Sequence, residues 1–256
     1  MRLALLQPGP SGVEEFIDSI PRVDLLILPE NWASSRPLDA EEYIQQALDL
    51  ARRVNAHVLA GTQYVRPKSG AKPVSLGVLV SPRGEVRVAC EKLFPSGSVG
   101  ERGLLERGRL ADVLEVGGVR VACIACVDIY YPEVARYYSL RGAQVLVNPA
   151  SIPANRVHSW GSVLSARASE NSVYVIGVNK VGTPYPDGRL TGGYSSIYTP
   201  EGEFYAGLGP YPALLTVEID PDLISKVRSR RMFIADAAKL DSEGFYSWRI
   251  LDEVEL

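Results

Sequence analysis

The sequence predicts an α/β protein built from layers of sheet and helix. Stretches of apolar, β-branched residues alternate with stretches whose apolar residues recur at helical spacing, which is typical of layered α/β domains. Two segments also resemble each other, Val78–Val86 and Ser196–Phe204, and each predicts a tight hairpin around a Ser/Thr-Pro-x-Gly-Glu turn. The shared turn indicates an internally duplicated sandwich, in which this turn is the only repeated segment that the sequence shows.

The elements follow from these patterns in chain order. Period-two or continuous apolar runs predict strands near Leu3–Gln7, Asp24–Leu28, His57–Gln63, Ser75–Ser81, Val86–Glu91, Val119–Cys126, Val145–Asn148, Val173–Asn179, Ser195–Tyr198 and Leu214–Ile219. The clearest helices between them are Ala40–Asn55, Pro132–Arg141, His158–Asn171 and Pro221–Arg230. Pro132 suits a first helical turn, and Asp220 is expected to cap the last helix.

The chain contains no segment with the composition of a linker, so we predict one domain over residues 1–256. Three Pro/Gly-rich loops are short enough to line a site: Pro67–Pro73, Phe94–Gly108 and Gly182–Gly193. The tail Phe233–Leu256 carries the aromatic residues Phe233, Phe245, Tyr246 and Trp248. We expect this tail to pack across a subunit interface.

Composition excludes several classes of partner. The net charge is −3, and no block of Lys or Arg is present, which argues against nucleic acid and against an anionic membrane surface. No apolar run approaches the roughly 18 residues of a membrane span. Met1–Leu6 is expected to be a first strand and not a signal peptide, because Gln7-Pro8 ends the apolar run early. Three cysteines without export features fit a reducing cytoplasm better than a disulfide framework.

Three chemically reactive residues lie where predicted strands end. Glu30 and Lys92 each follow an apolar run, and Cys126 ends the run that begins at Val119. Sites in open α/β sheets are built at the carboxyl ends of strands, so these side chains are expected to converge. An acid, an amine and a thiol together suit covalent catalysis on an acyl carbon.

The segments around these residues resemble a known family. Three of them resemble the three signatures of the nitrilase (carbon–nitrogen hydrolase) superfamily and come in the family's order. They are Leu28-Pro29-Glu30, Lys92-Leu93-Phe94-Pro95 and Cys126-Val127-Asp128-Ile129-Tyr130-Tyr131-Pro132-Glu133. Later landmarks of the family are matched by Arg141–Ala150, Arg167–Asn171 and Gly193–Ser196. The resemblance therefore runs from Met1 to about Ile219.

The resemblance implies a fold and a set of site residues. The family folds as a four-layer α-β-β-α sandwich and usually dimerises, or assembles further, through helices near the cysteine. Its members use a Glu-Lys-Cys triad, commonly with a second Glu seven residues before a Gly. Glu101 stands seven residues before Gly108 and is the candidate for that fourth residue, with Glu106 as the competing choice.

The chemistry of these residues predicts an amidase-type hydrolase. A nearby ammonium on Lys92 is expected to stabilise the Cys126 thiolate. Attack on an amide carbonyl creates an oxyanion, for which Lys92 and the backbone N–H of Val127 are the candidate donors. Glu30 is expected to accept the thiol proton, pass it to the leaving amine and later activate water against the thioester.

The substrate is less well defined than the chemistry. Many amidase-type members carry Tyr and Arg where this chain has Val127 and Tyr130, and nitrile-cleaving members tend to have Trp-Glu where it has Val127-Asp128. We therefore predict a small carboxamide, with an N-carbamoyl amide or a nitrile as alternatives. Tyr130 and Tyr131 are candidates for the substrate pocket, as is Trp160, which also suits the core. Acyl transfer in place of hydrolysis, or a non-catalytic binding role, also stays open.

The remaining reactive residues have structural interpretations. Cys123 and Cys126 are about 10 Å apart if the segment is extended, too far for a disulfide, so a redox pair is not expected. Cys90 and Cys123 are interpreted as core thiols. His57 and His158 have no second ligand at helical spacing, and no phosphate-binding Gly-rich loop is present. We therefore predict neither a metal nor a cofactor.

Overall fold

The computed structural model describes residues 1–67 and 70–246 of the chain. Its strands are β1 Arg2–Gln7, β2 Leu25–Ile27, β3 Leu38–Asp39, β4 His57–Arg66, β5 Val74–Val80, β6 Val86–Glu91, β7 Leu114–Val116, β8 Val119–Cys123, β9 Val145–Pro149, β10 Tyr174–Val178, β11 Val181–Pro184, β12 Leu190–Gly192, β13 Ser196–Tyr198, β14 Phe204–Gly207 and β15 Ala213–Glu218. Its helices are α1 Glu14–Ile17, α2 Ala40–Val54, α3 Glu101–Leu104, α4 Pro132–Leu140, α5 Val157–Asn171, α6 Pro221–Arg231 and α7 Phe233–Ser242.

Every predicted strand and helix is present, with boundaries shifted by a few residues. Pro132 lies in the first turn of α4, and the Asp220 side chain caps α6 by accepting a hydrogen bond from the Asp222 N–H at 2.9 Å. The sequence did not predict β3, β7, β11 or β12, nor the helices α1, α3 and α7. Most of these have two to four residues, which is too short for a hydrophobic period to show.

Among the described residues, all strands except β11 and β12 form two mixed sheets of the same plan, and β11 and β12 pair with each other in a separate two-stranded sheet. The first has the order β15-β1-β2-β4-β5-β6, with β3 added to β4, and the second has the order β14-β13-β10-β9-β8-β7. In each, three neighbouring parallel strands are continued by antiparallel ones: β1, β2 and β4 in the first sheet, β8, β9 and β10 in the second. Parallel strands put their carboxyl ends at one edge of the sheet.

The two resembling segments form equivalent hairpins, as predicted. They join β5 to β6 and β13 to β14. In the first turn Gly84 has a φ of 96°, and its N–H donates to Ser81 O. In the second, Gly202 has a φ of 86°, and its N–H donates to Thr199 O. Each glycine thus supplies the left-handed conformation that the turn requires.

The sheets pack face to face between outer helices. One apolar cluster joins Leu5 and Ile27 of the first sheet to Val121, Val147 and Ile176 of the second. A second cluster lies between the first sheet and α2, and a third between the second sheet and the helices α4 and α5. The layers are therefore α-β-β-α, which confirms the predicted four-layer sandwich.

A disulfide joins the two sheets, contrary to the sequence-based expectation. Cys90 of β6 and Cys123 of β8 are both buried and bonded to each other, with their Cα atoms 5.4 Å apart. The interpretation of both as core thiols was right about burial and wrong about bonding, because strands distant in sequence face each other across the sandwich. Cys126 is a free thiol, so no Cys123–Cys126 pair forms.

The predicted C-terminal tail is only partly described. Its first part is the helix α7, which contacts α4, α5 and α6. The ring of Phe245 lies 5.2 Å from that of Tyr246, whereas Trp248 lies outside the described residues. The packing of the tail at a subunit interface and the domain bounds 1–256 both stay predictions. No helix in residues 1–67 and 70–246 has the length and apolar character needed to cross a membrane.

Candidate active site

The structure brings the three strand-end residues to one cavity. Lys92 directly follows β6, whereas Glu30 and Cys126 each come three residues after their strands, β2 and β8. All three line a cavity of about 480 Å³, together with Glu101. Because β2 and β8 belong to different sheets, the cavity is built from strand ends of both halves of the sandwich.

Lys92 lies between two carboxylates. Its Nζ is 2.7 Å from Glu30 Oε1 and also 2.7 Å from Glu101 Oε1. All three side chains are almost completely buried, at 1–4% exposure. A buried ion pair of this kind persists only when its geometry and hydrogen bonds offset desolvation, so Lys92 is fixed in position.

Glu101 is held by more than Lys92. The Tyr64 hydroxyl donates to Glu101 Oε1 at 2.5 Å, and the backbone N–H of Ser96 donates to Oε2 at 2.6 Å. Glu106, the competing candidate, is exposed, and its N–H donates to the carbonyl of Pro73. The geometry therefore places Glu101, and not Glu106, beside Lys92.

Cys126 begins a sharp turn and does not end a strand. β8 stops at Cys123, and Cys126 starts the 3₁₀ helix Cys126–Tyr130 with a φ of 39°. The side-chain amide of Asn148 donates to Cys126 O at 2.9 Å, and the Trp160 indole N–H donates to Asn148 Oδ1 at 2.8 Å. This buried chain of hydrogen bonds stabilises a backbone conformation that is uncommon for a non-glycine residue.

The same turn holds the N–H proposed for the oxyanion. The first hydrogen bond of the 3₁₀ helix runs from Asp128 N to Ala125 O at 2.8 Å. The N–H of Val127 precedes that bond and therefore has no acceptor within the helix. Val127 lines the cavity next to Cys126, and its role as an oxyanion donor stays a prediction.

Asp128 connects this turn to the lysine loop. Its carboxylate accepts hydrogen bonds from the backbone N–H groups of Leu93 at 2.7 Å and Phe94 at 3.0 Å. Burial raises the pKa of Asp128 to about 7, although the two N–H groups oppose the change. The segment that follows Lys92 is thereby tied to the segment that carries Cys126.

The electrostatics of the site favour a protonated thiol and a charged lysine. Burial and the Glu30 carboxylate raise the pKa of the Cys126 thiol well above its usual value, and Lys92 only partly opposes them. Burial alone would lower the pKa of Lys92, but Glu30, Cys126 and Glu101 raise it well above its ordinary range. Lys92 itself lowers the pKa of the Cys126 thiol, but desolvation outweighs this one neighbouring cation.

The predicted pocket residues have different surroundings. Tyr130 lines the cavity, as Val127 does. Tyr131 does not line it, because its ring packs on Phe94 with the ring centroids 4.3 Å apart. Trp160 is fully buried in the core. Tyr131 and Trp160 are thus placed to support the site from outside the cavity.

Two of the predicted loops contribute to the cavity. Residues of the loop Phe94–Gly108 and of the loop Gly182–Gly193 line it, whereas the described residues of Pro67–Pro73 do not. Sequence reasoning did not single out Lys180 or Tyr185, which both line it. The Tyr185 hydroxyl donates to the carbonyl of Ser151. The available signal for Lys180 was its position directly after the predicted strand Val173–Asn179 and two residues before the second loop. No group of three or more possible metal-ligating His, Cys, Asp or Glu residues occurs in the described part of the chain.

Comparison with known proteins identifies the family. The carbon–nitrogen hydrolase family model matches residues 8–229. The chain is 28% identical over 244 residues to 2-oxoglutaramate amidase of Paenarthrobacter nicotinovorans, covering 88% of this chain and 82% of that protein. It is 30% identical over 243 residues to deaminated glutathione amidase of Synechocystis sp., covering 85% and 88%. The chain belongs to the carbon–nitrogen hydrolase family.

Solved structures show the same fold. A carbon–nitrogen hydrolase from Helicobacter pylori G27 superposes with a TM-score of 0.82 at 20% identity, covering 92% of this chain and 94% of that chain. An amidase from Nesterenkonia sp. gives a TM-score of 0.75 at 24% identity, covering 91% and 95%. The family model and the amidases among the relatives confirm the predicted superfamily and an amidase type of carbon–nitrogen hydrolase, and the solved structures confirm the fold.

Proposed function

We propose that the protein hydrolyses a small carboxamide through a thioester on Cys126, releasing ammonia and a carboxylic acid. One observation carries the proposal: a free cysteine on a strained turn shares a cavity with a lysine held between two buried carboxylates. The family and the amidases among its relatives support the reaction class.

In the proposed acylation step, Cys126 Sγ attacks the amide carbonyl carbon as its proton moves to Glu30. The raised pKa of the thiol means that this proton transfer accompanies attack and does not precede it. Lys92 and the Val127 N–H stabilise the oxyanion of the tetrahedral intermediate. The C–N bond then breaks, and ammonia leaves with the proton that Glu30 returns.

Deacylation uses the same carboxylate. Glu30 accepts a proton from water as the water oxygen attacks the thioester carbon. The C–S bond breaks, the acid is released and Sγ recovers its proton. Glu101 accepts hydrogen bonds from Lys92, so its proposed role is to position that ammonium. The arrangement gives each of the four residues a distinct task.

An N-carbamoyl amide or a nitrile is the second candidate substrate class, because the same thioester chemistry serves all three. A non-catalytic binding role has less support, since the four candidate residues are present and lie together. We expect the enzyme to act as a homodimer or a larger homo-oligomer.

The test compares wild type with Cys126→Ala on a panel of small amides, N-carbamoyl amides and nitriles. Ammonia release and intact mass are measured, and carbon dioxide reports carbamoyl cleavage. We expect wild type to release ammonia and to form an acyl adduct, and Cys126→Ala to do neither while its melting temperature is unchanged. Turnover by Cys126→Ala would refute the nucleophile. Turnover only with carbamoyl compounds or nitriles would replace the proposed substrate class.

A further inference from the structure

Lys180 is a buried cation in the cavity to which the proposed mechanism assigns no task. It lies between β10 and β11, lines the cavity and is only 7% exposed. Its Nζ donates to the backbone carbonyl of Asn31 at 3.2 Å. Within the described chain, no carboxylate oxygen lies within the 4.0 Å of an ion pair with Lys180.

A buried ammonium in such surroundings is expensive. It has three N–H donors, and one neutral carbonyl cannot compensate for the water that a charged group loses on burial. Burial lowers the pKa of Lys180, while Glu30 and Cys126 oppose that change. The protein therefore maintains an incompletely compensated positive site close to the nucleophile.

The carboxylates that line the described cavity wall form no ion pair with Lys180. The acidic side chains on the wall are Glu30 and Glu101, and Lys92 binds both. A third cation, Arg189, is paired with Asp187 at 2.6 Å. Arg156 is the remaining cation, and it is exposed at the rim. Among the described residues, Lys180 is thus the buried cation of the wall that lacks a carboxylate partner.

We propose that the substrate is an amide that also bears a carboxylate, and that Lys180 binds this carboxylate and so determines specificity. The inference rests on the proposed amidase function and defines its substrate class. A carboxylate on Lys180 would complete the hydrogen bonding of the ammonium and neutralise its charge. The cavity volume of about 480 Å³ suits a short chain between amide and carboxylate.

The test uses pairs of substrates of equal shape. Malonamate, succinamate and glutaramate are compared with 3-methylbutanamide, 4-methylpentanamide and 5-methylhexanamide, in which an isopropyl group replaces the carboxylate. We expect wild type to prefer one of the carboxylates over its partner by about 10- to 150-fold in kcat/KM, the range of one charge-assisted hydrogen bond. In Lys180→Met this ratio should fall to near one, mainly through KM.

Two further variants separate binding from positioning. Lys180→Gln keeps a donor for the Asn31 carbonyl without the charge and should also lose the preference, whereas Lys180→Arg should keep part of it. Arg156→Met is the matched control and should leave the ratio unchanged.

Equal losses on both substrates of a pair in Lys180→Met would show that Lys180 only positions the segment after Glu30. A ratio that falls in Arg156→Met instead would move the carboxylate to the rim. Either result overturns the Lys180 assignment while leaving amide hydrolysis intact, whereas the absence of turnover with every amide would contradict the proposed function itself.

Discussion

At the scale of single residues, the site depends on how its buried charges are shared. Lys92 is bound to Glu30 and Glu101 at equal distances of 2.7 Å. Glu101 also accepts hydrogen bonds from Tyr64 and from the Ser96 N–H. Glu30 lacks such a set, since besides Lys92 it has only a 3.5 Å hydrogen bond from the Thr62 hydroxyl among the described contacts of its side chain. Glu101 therefore suits a fixed positioning role, and Glu30 suits proton transfer.

Glu101 is buried and Glu106 is exposed, although both belong to one loop, and this predicts different results when each is substituted. Glu101→Gln replaces an acceptor oxygen with an NH₂ group that must face Lys92, Ser96 N–H or Tyr64. We expect kcat to fall by about 100-fold, as small displacements of catalytic groups commonly cause, and stability to fall as well. Glu106→Gln alters an exposed side chain and should change neither. Steady-state kinetics and urea unfolding of both variants provide the measurement, and equal kcat losses would contradict the assignment of Glu101.

At the scale of elements, the residues at strand ends were predictable from the sequence, whereas the contacts that individual side chains make were not. Glu30, Lys92 and Cys126 lie at the ends of hydrophobic runs, so the rule that sites form at the carboxyl ends of strands predicts their involvement, whereas their meeting across two sheets depends on how the sheets pack. Lys180 also follows a predicted strand, Val173–Asn179, but the direction of its side chain depends on the contacts of β10 and β11 with the rest of the chain. The role of Asn148 was equally hidden, since an asparagine inside an apolar strand does not indicate which carbonyls it will bind.

Asp128 connects two elements that sequence analysis treated separately. It joins the turn of Cys126 to the segment after Lys92 through the N–H groups of Leu93 and Phe94. Its pKa is raised to about 7 in the folded protein, against about 3.9 when unfolded. The folded state therefore binds the proton more tightly, and the stability that protonation contributes is lost as pH rises from about 4 through 7.

The prediction concerns Asp128→Asn across this pH window. Asparagine can accept from only one of the two N–H groups, and the lost hydrogen bond should cost about 1–3 kcal/mol at pH 4. Because asparagine does not titrate, the stability advantage of wild type over Asp128→Asn should shrink as pH rises from 4 to 7. Urea unfolding of both proteins at several pH values tests this. A constant difference between them would mean that Asp128 titrates with an ordinary pKa.

At the scale of the whole molecule, the sandwich joins two halves that each provide part of the site. The first sheet carries Glu30 and Lys92, and the second carries Cys126. The four-layer arrangement was predictable from motifs in the family's order, whereas the Cys90–Cys123 bond was not, because hydrophobic patterning does not report which strands face each other. That bond joins β6 to β8, the two strands that lead to Lys92 and Cys126. It thus holds the two halves together close to the site.

We expect this disulfide to contribute to global stability. Its cysteines are 33 residues apart. Closing a loop of that length lowers the entropy of the unfolded chain, which stabilises the folded state by about 3–4 kcal/mol in the chain-entropy model.

The test uses Cys126→Ala as the background, so that the catalytic thiol does not exchange with the bond. Dithiothreitol should lower its urea midpoint but should not alter that of a variant that also carries Cys90→Ala and Cys123→Ala. Thiol titration of the unfolded wild type without reductant should give one thiol per chain. Three thiols, or a midpoint in the Cys126→Ala background that does not respond to reductant, would show that the two cysteines pack without a bond and that apolar contacts alone join the sheets.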